Sequence, residues 1–276
     1  MQYSSSFIIS ALAETWNSLG GYCRELGEEQ WIALSNCPGW SVGDILSHIV
    51  GTERSLLGDQ TPVMDDDQVG SHVKNEIGRS NEAWIKSLRS KSSAEILDQF
   101  ESCVTKRLEV LGSMTEEEFS KESWTPIGKG TYRDFMVIRV MDCFVHEQDI
   151  RISSGGSFLA HDRSGKISYD QLVSGLGFVV GKKVKAKEGT QVRFEIEVNP
   201  GNVDTIRILI RDGRAVVARD DAKEIDDASL TMTFEAFVFA AAGRLNAHSY
   251  LEDGSVKIGS DSELGTAVYQ NLGFLI

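Results

Sequence analysis

A chain of 276 residues, 41% of them hydrophobic, can bury one large core or two ordinary ones. Its formal net charge of -13, from 28 basic and 41 acidic side chains, argues against a phosphate-neutralising surface, and nucleic acid is not an expected partner. No apolar run is long enough for a bilayer and no basic-then-apolar leader is visible, so the expectation is a cytoplasmic protein without a membrane partner.

The first half has helical periodicity. Phe7, Ile8, Ala11, Leu12, Thr15, Trp16 and Leu19 recur at three- and four-residue steps, the stripe of an amphipathic helix. After Pro38-Gly39, Ser41 and Asp44 have the spacing of a reciprocal helix cap. Trp40 and Ile45 have that of a hydrophobic staple, and a helix is predicted to about Leu57. Residues 59–70 read as a loop. Helical spacing returns over Val73–Leu88 and Ala94–Leu111. Trp124, Pro126, Gly128 and Gly130 mark a further loop. Thr131 and Asp134 repeat the capping pattern before a helix to about Ile152, stopped at Gly155-Gly156. Four or more helices in this layout predict a bundle.

The pattern changes after about residue 160. One more helix is expected over Lys166–Val180. Val192, Phe194, Ile196 and Val198 then alternate with polar residues, as do Ile206, Ile208 and Ile210, and Asp212-Gly213 predicts a tight hairpin into Ala215–Val217. Leu230–Thr233 and Ser255–Ile258 are further strand candidates. Phe234–Leu245 and Glu263–Leu272 are helix candidates. The fold class expected is α+β, with a helical domain over 1–158 and a small α+β domain over 159–276, the break lying near 155–163.

The chemistry concentrates on two helices. Asp142 and His146, four residues apart, share a helix face with the apolar Phe135, Ile138 and Val145 on or near it. A carboxylate and an imidazole aimed into a core are costly unless satisfied, and a shared metal satisfies both. His48 stands one turn from Ile45 and Thr52 on the earlier capped helix. Three ligands from two helices leave room for water or substrate. The donors suit zinc, and also nickel, iron or manganese. The plainer alternatives are a core histidine at position 48 and a helical hydrogen-bonded pair at 142 and 146. His72, His161 and His248 fit no shared pattern. Among Cys23, Cys37, Cys103 and Cys143 no two have C-x-x-C spacing, and Cys37 and Cys143 read as small buried fillers. The one basic cluster, Lys182, Lys183, Lys185 and Lys187, reads as a solvated segment.

Two segments resemble a known family. Cys37-Pro-Gly-Trp-Ser-Val-Gly-Asp-Ile-Leu-Ser-His48 and Asp142-Cys-Phe-Val-His-Glu-Gln-Asp-Ile-Arg151 are similar to the metal motifs of the mycothiol-dependent maleylpyruvate isomerase family, within the DinB-like bundle superfamily. Ala242-Gly-Arg244 and Val256–Asp261 resemble that family's C-terminal domain, which is similar to sterol-carrier folds. The resemblance implies a DinB-like four-helix bundle followed by a sterol-carrier-like unit. It implies metal ligands at His48, Asp142 and His146, with aspartate where the family has glutamate. It also implies a mycothiol-like thiol cofactor, a small anionic or electrophilic substrate, and Arg244 near the cleft between the domains to pair with a substrate carboxylate. Arg244 otherwise reads as a helix-end cation. The expected activity is cis-trans isomerisation. A thiol S-transferase acting on electrophiles and a non-catalytic metal- or ligand-binding module are the alternatives.

Overall fold

The computed structural model describes residues 3–65, 69–218 and 225–275. The chain divides into two compact units, Met1–Ser168 and Tyr169–Ile276.

The first unit is a helical bundle. Its long members are α1 (Ser5–Arg24), α3 (Val42–Leu56), α5 (Ser93–Ser113) and α7 (Tyr132–Ser153), with α4 (Glu76–Leu88) alongside. Short helices α2 (Glu28–Ile32) and α6 (Glu116–Phe119) lie in the connections, and α8 (Ser164–Phe178) begins at the end of the unit. Side-chain caps start the long helices, because the first amides of a helix have no partner within it. Ser41 accepts from the Asp44 amide at 3.2 Å while the Ser41 amide donates to the Asp44 carboxylate at 2.9 Å. Thr131 and Asp134 repeat the reciprocal pair on α7. α3 packs on α4, α5 and α7, and α1 on α5 and α7. Their apolar stripes share one core that includes Ile8, Leu12, Trp16, Ile45, Ile49, Phe100, Met136 and Val140. The segment after α7 is tied back to the bundle. Leu159 donates its amide to Gln148, and His161 pairs with Glu147 at 2.8 Å.

The segment with Trp124, Pro126, Gly128 and Gly130, expected to be a loop, lies in a hairpin instead. β1 (Glu122–Thr125) and β2 (Gly128–Thr131) pair antiparallel across Pro126-Ile127. Gly-Lys-Gly carries no alternation, so the signal for this strand was absent. Backbone pairing and the run into the α7 cap hold it, with the Tyr132 amide donating to Lys121 O at 2.9 Å.

The second unit is α+β. A π-helical turn over Val179–Lys183 closes α8. Five strands follow: β3 (Gln191–Asn199), β4 (Asn202–Arg211), β5 (Arg214–Val217), β6 (Ala228–Thr233) and β7 (Val256–Ser260). Their order is β5-β4-β3-β6-β7, with β3 and β6 parallel and every other pair antiparallel. Asp212 and Gly213 both have positive φ, 52° and 69°, the geometry a two-residue hairpin between twisted strands requires. α9 (Phe234–Ala241) and α11 (Ser262–Gln270) pack on the sheet; α10 (Ser249–Glu252) is a single turn.

The helix predicted to reach Leu245 stops at Ala241. Gly243 has φ 65° and donates its amide to Ala240 O, while the Arg244 amide donates to Phe239 O. These are the two bonds of a Schellman stop, and an internal glycine in the left-handed region ends the helix before the apolar pattern does.

Candidate metal centre

α3 and α7 bring His48, Asp142 and His146 together. One ligand atom from each lies within 4.8 Å of the others. His48 Nε2 is 3.5 Å from Asp142 Oδ2, and His146 Nε2 is 3.6 Å from Asp142 Oδ1. The imidazole centroids are 4.8 Å apart at a steep angle. Both histidines are buried, at 5% and 7% exposure, while about a third of the Asp142 side chain is open to solvent. The carboxylate therefore marks the accessible side. Trp40 lies over both rings, with centroids 5.4 Å from His48 and 6.1 Å from His146. Its indole donates to the buried Glu82 at 3.1 Å, which also pairs with His72.

The three residues fit a cation. Neither ring nitrogen of His48 has a hydrogen-bond partner although both are buried, an arrangement that costs about 1–3 kcal/mol for such a group left unmet. Burial pushes His48 down to about 4 against the pull of Asp142, with His146 and Arg139 adding to the lowering. The ring is therefore neutral at pH 7 and offers a lone pair. For Asp142, burial alone would raise the carboxyl, but Arg139, His146 and His48 outweigh it and hold the group far below the usual carboxylate range. An ionised oxygen donor and neutral imidazoles are what a borderline divalent ion takes.

Sequence reasoning did not find four neighbours of this site. Arg139, three residues before Asp142, binds its carboxylate. Glu53, fully buried on α3, holds Arg139 at 2.7 Å and Arg107 of α5 at 2.9 Å, so a charged chain runs from α5 to Asp142. On the other side Asp149, also fully buried, accepts from His146 Nδ1 at 3.1 Å and from the Cys37 thiol at 3.2 Å. Cys37, His146 and Asp149 also have ligand atoms within 4.8 Å of one another. Helical spacing carried part of this signal, since Arg139 and Asp149 each lie three residues from a ligand. Glu53 and Cys37 reach the site only through packing. Cys143 fits its expected role as filler: it is buried and accepts from the Trp16 indole at 3.3 Å. Arg244 belongs to the second unit, where it is half-buried. It follows the Schellman glycine and donates from Nη1 to Ala242 O at 3.0 Å.

The family model of the mycothiol maleylpyruvate isomerase N-terminal domain matches residues 12–151, about half of the chain. The chain belongs to the mycothiol maleylpyruvate isomerase family. The model of the SCP-2 sterol transfer family matches residues 180–272, within the second unit. The crystal structure of a mycothiol-dependent maleylpyruvate isomerase aligns with a TM-score of 0.57 at 14% identity, covering 88% of this chain and 90% of that one. The crystal structure of a histidine-to-alanine mutant of such an isomerase aligns at 0.56 and 13%, with the same coverage. At these identities the likeness concerns the fold. No curated protein gives a significant match. Among the described residues no helix is long and apolar enough to cross a membrane.

Proposed function

We propose that the bundle holds one divalent ion through His48, Asp142 and His146, and that the ion serves a low-molecular-weight thiol of the mycothiol kind in an isomerase-type enzyme. The observation supporting this reading is the convergence of the three donors, within 4.8 Å, from two helices of a bundle that belongs to this family. Zinc suits two imidazoles and a carboxylate best, and nickel, iron or manganese accept the same donors. A bound ion supplies Lewis acidity, which lowers a thiol's pKa so that thiolate is available at neutral pH.

Three of the protein's four thiols are poor substitutes for an added one. Burial pushes Cys23, Cys103 and Cys143 up to about 12. In the reaction proposed, the sulfur of the external thiol adds to the activated double bond of an unsaturated diacid. The former double bond rotates as a single bond, and the sulfur leaves again to give the trans product and the free thiol. A thiol S-transferase would share the first sulfur–carbon bond-forming step with a different electrophile. Arg244 is the proposed anchor for a substrate carboxylate, because guanidinium matches its two oxygens. Arg244→Lys keeps the charge and loses the fork. It should lower turnover of a dicarboxylate severalfold and leave zinc content unchanged; equal turnover would return Arg244 to its helix-end role.

A second reading, a non-catalytic metal- or ligand-binding module, is favoured by the Arg139 guanidinium, which is shared between Glu53 and Asp142 and takes part of the charge that the carboxylate would offer an ion. Metal analysis of protein purified without a histidine tag, followed by thiol cofactors tested with maleylpyruvate and with general electrophiles, separates the two. Isomerisation that requires both metal and thiol supports the enzyme. Stoichiometric metal without turnover favours the second reading, and protein that binds no divalent ion contradicts the metal site itself.

A further inference from the structure

The two imidazoles of the candidate centre are held differently. His48 has no hydrogen-bond partner at either ring nitrogen. His146 has one: its Nδ1 lies 3.1 Å from Asp149 Oδ2, three residues along the same helix. That oxygen also accepts from the Cys37 thiol at 3.2 Å, and Asp149 is fully buried while Cys37 is 5% exposed. An aspartate oxygen shared by two such groups acts as an acceptor for both. The opposite ring nitrogen, His146 Nε2, faces Asp142 and shares the volume with His48.

We propose that Asp149 is a positioning residue that holds His146 as the Nδ1–H tautomer, so that the lone pair on Nε2 is turned into the space bounded by His48 and Asp142. The cause is local. A neutral imidazole carries one proton, and the nitrogen next to a buried carboxylate keeps it. Helical spacing places the two residues on one face, so the pairing requires no tertiary rearrangement. Cys37 is the second donor on the oxygen and anchors the connection before α3 to α7. It is not required for the tautomer, since removing it leaves the contact between the carboxylate and His146 Nδ1 in place. The role in ion binding rests on the reading given under Proposed function; the tautomer does not.

The test reads the ring nitrogens directly. Long-range ¹H–¹⁵N spectra of the full chain, stripped of metal by chelator and recorded near pH 7.5, should show His146 protonated at Nδ1 and unprotonated at Nε2. Asp149→Asn is nearly isosteric, but its carboxamide can donate to Nδ1 and drive the proton to Nε2. In that variant the His146 pattern should invert while His48, the internal control, keeps its own. Cys37→Ala should leave the His146 pattern as in the parent. Zinc affinity, measured by competition with a chelating dye, should fall about 10- to 100-fold in Asp149→Asn and stay within about threefold in Cys37→Ala. A parent His146 already protonated at Nε2 overturns the proposal without any variant. So does an Asp149→Asn protein whose His146 pattern and zinc affinity match the parent's. If the tautomer responds as stated but the parent binds no zinc, Asp149 still positions His146 and it is the metal reading that fails.

Discussion

At the scale of single residues, Asp142 is the residue proposed to balance the charge of the metal centre. Among the described residues it is the one carboxylate facing both imidazoles, and Arg139 takes part of its charge. Asp142→Ala removes that balance and should lose zinc as read by elemental analysis of the purified protein; equal content in parent and variant would show that Asp142 is no ligand. Asp142→Glu restores the longer carboxylate that the family resemblance implies and should retain the ion or bind it more tightly. His48 sets a pH dependence. Its folded value of about 4 lies below the ordinary value near 6.5. Between those limits the unfolded chain binds a proton that the folded chain refuses, so metal-free protein should lose stability as pH falls from about 6.5 to 4. The shift corresponds to roughly 3 kcal/mol. Urea midpoints of chelator-treated protein should show the loss, and His48→Gln should flatten it. An equally steep profile in the variant would assign the dependence to other groups.

At the scale of elements, the centre depends on how closely α3 meets its neighbours. Gly51 lies one turn beyond His48 on α3. A Cβ there would stand 2.4 Å from Cβ and Cγ of Trp84 on α4, atoms next to the backbone that cannot swing aside. Trp84 is itself fixed, its indole donating to Ser55 at 2.8 Å and its ring lying under the Arg54 guanidinium at 4.8 Å. Gly51→Ala should therefore cost about 1–3 kcal/mol through overpacking, more than the roughly 1 kcal/mol that alanine returns in helix propensity. Zinc affinity should fall with it, because the shift propagates to His48. Chemical denaturation and a zinc titration check both effects; an unchanged denaturation midpoint would mean that α3 and α4 separate at no cost.

At the scale of the whole molecule, every group invoked at the centre lies within Met1–Ser168. This includes the buried chain Arg107–Glu53–Arg139 that leads to Asp142, and the pair Cys37–Asp149 behind His146. A fragment of residues 1–168 should therefore unfold cooperatively and bind zinc within about threefold of the full chain. It should lack turnover if Arg244, in the second unit, anchors the substrate. A fragment that folds but has lost zinc affinity would mean that the second unit contributes to the metal site.

The helices with caps at Ser41 and Thr131, the switch from helical to alternating periodicity, the Asp212-Gly213 hairpin and the spacing of Asp142 and His146 were legible in the sequence. Each is a local consequence of residues a few positions apart. The hairpin at 122–131 and the early stop of α9 were not. In the first the strand signal is missing, and in the second one backbone angle at Gly243 overrides an apolar pattern that runs on. For the centre, the sequence by itself determined which side chains share a helix face. Tertiary packing decided that His48 on α3 faces Asp142 and His146 on α7. It also decided that Glu53 and Arg139 stand behind the carboxylate, that Cys37 joins Asp149, and that Trp40 covers both rings. The physical reason is that a helix fixes the direction of its own side chains, whereas partners tens of residues away are chosen by how the apolar stripes of separate helices dock.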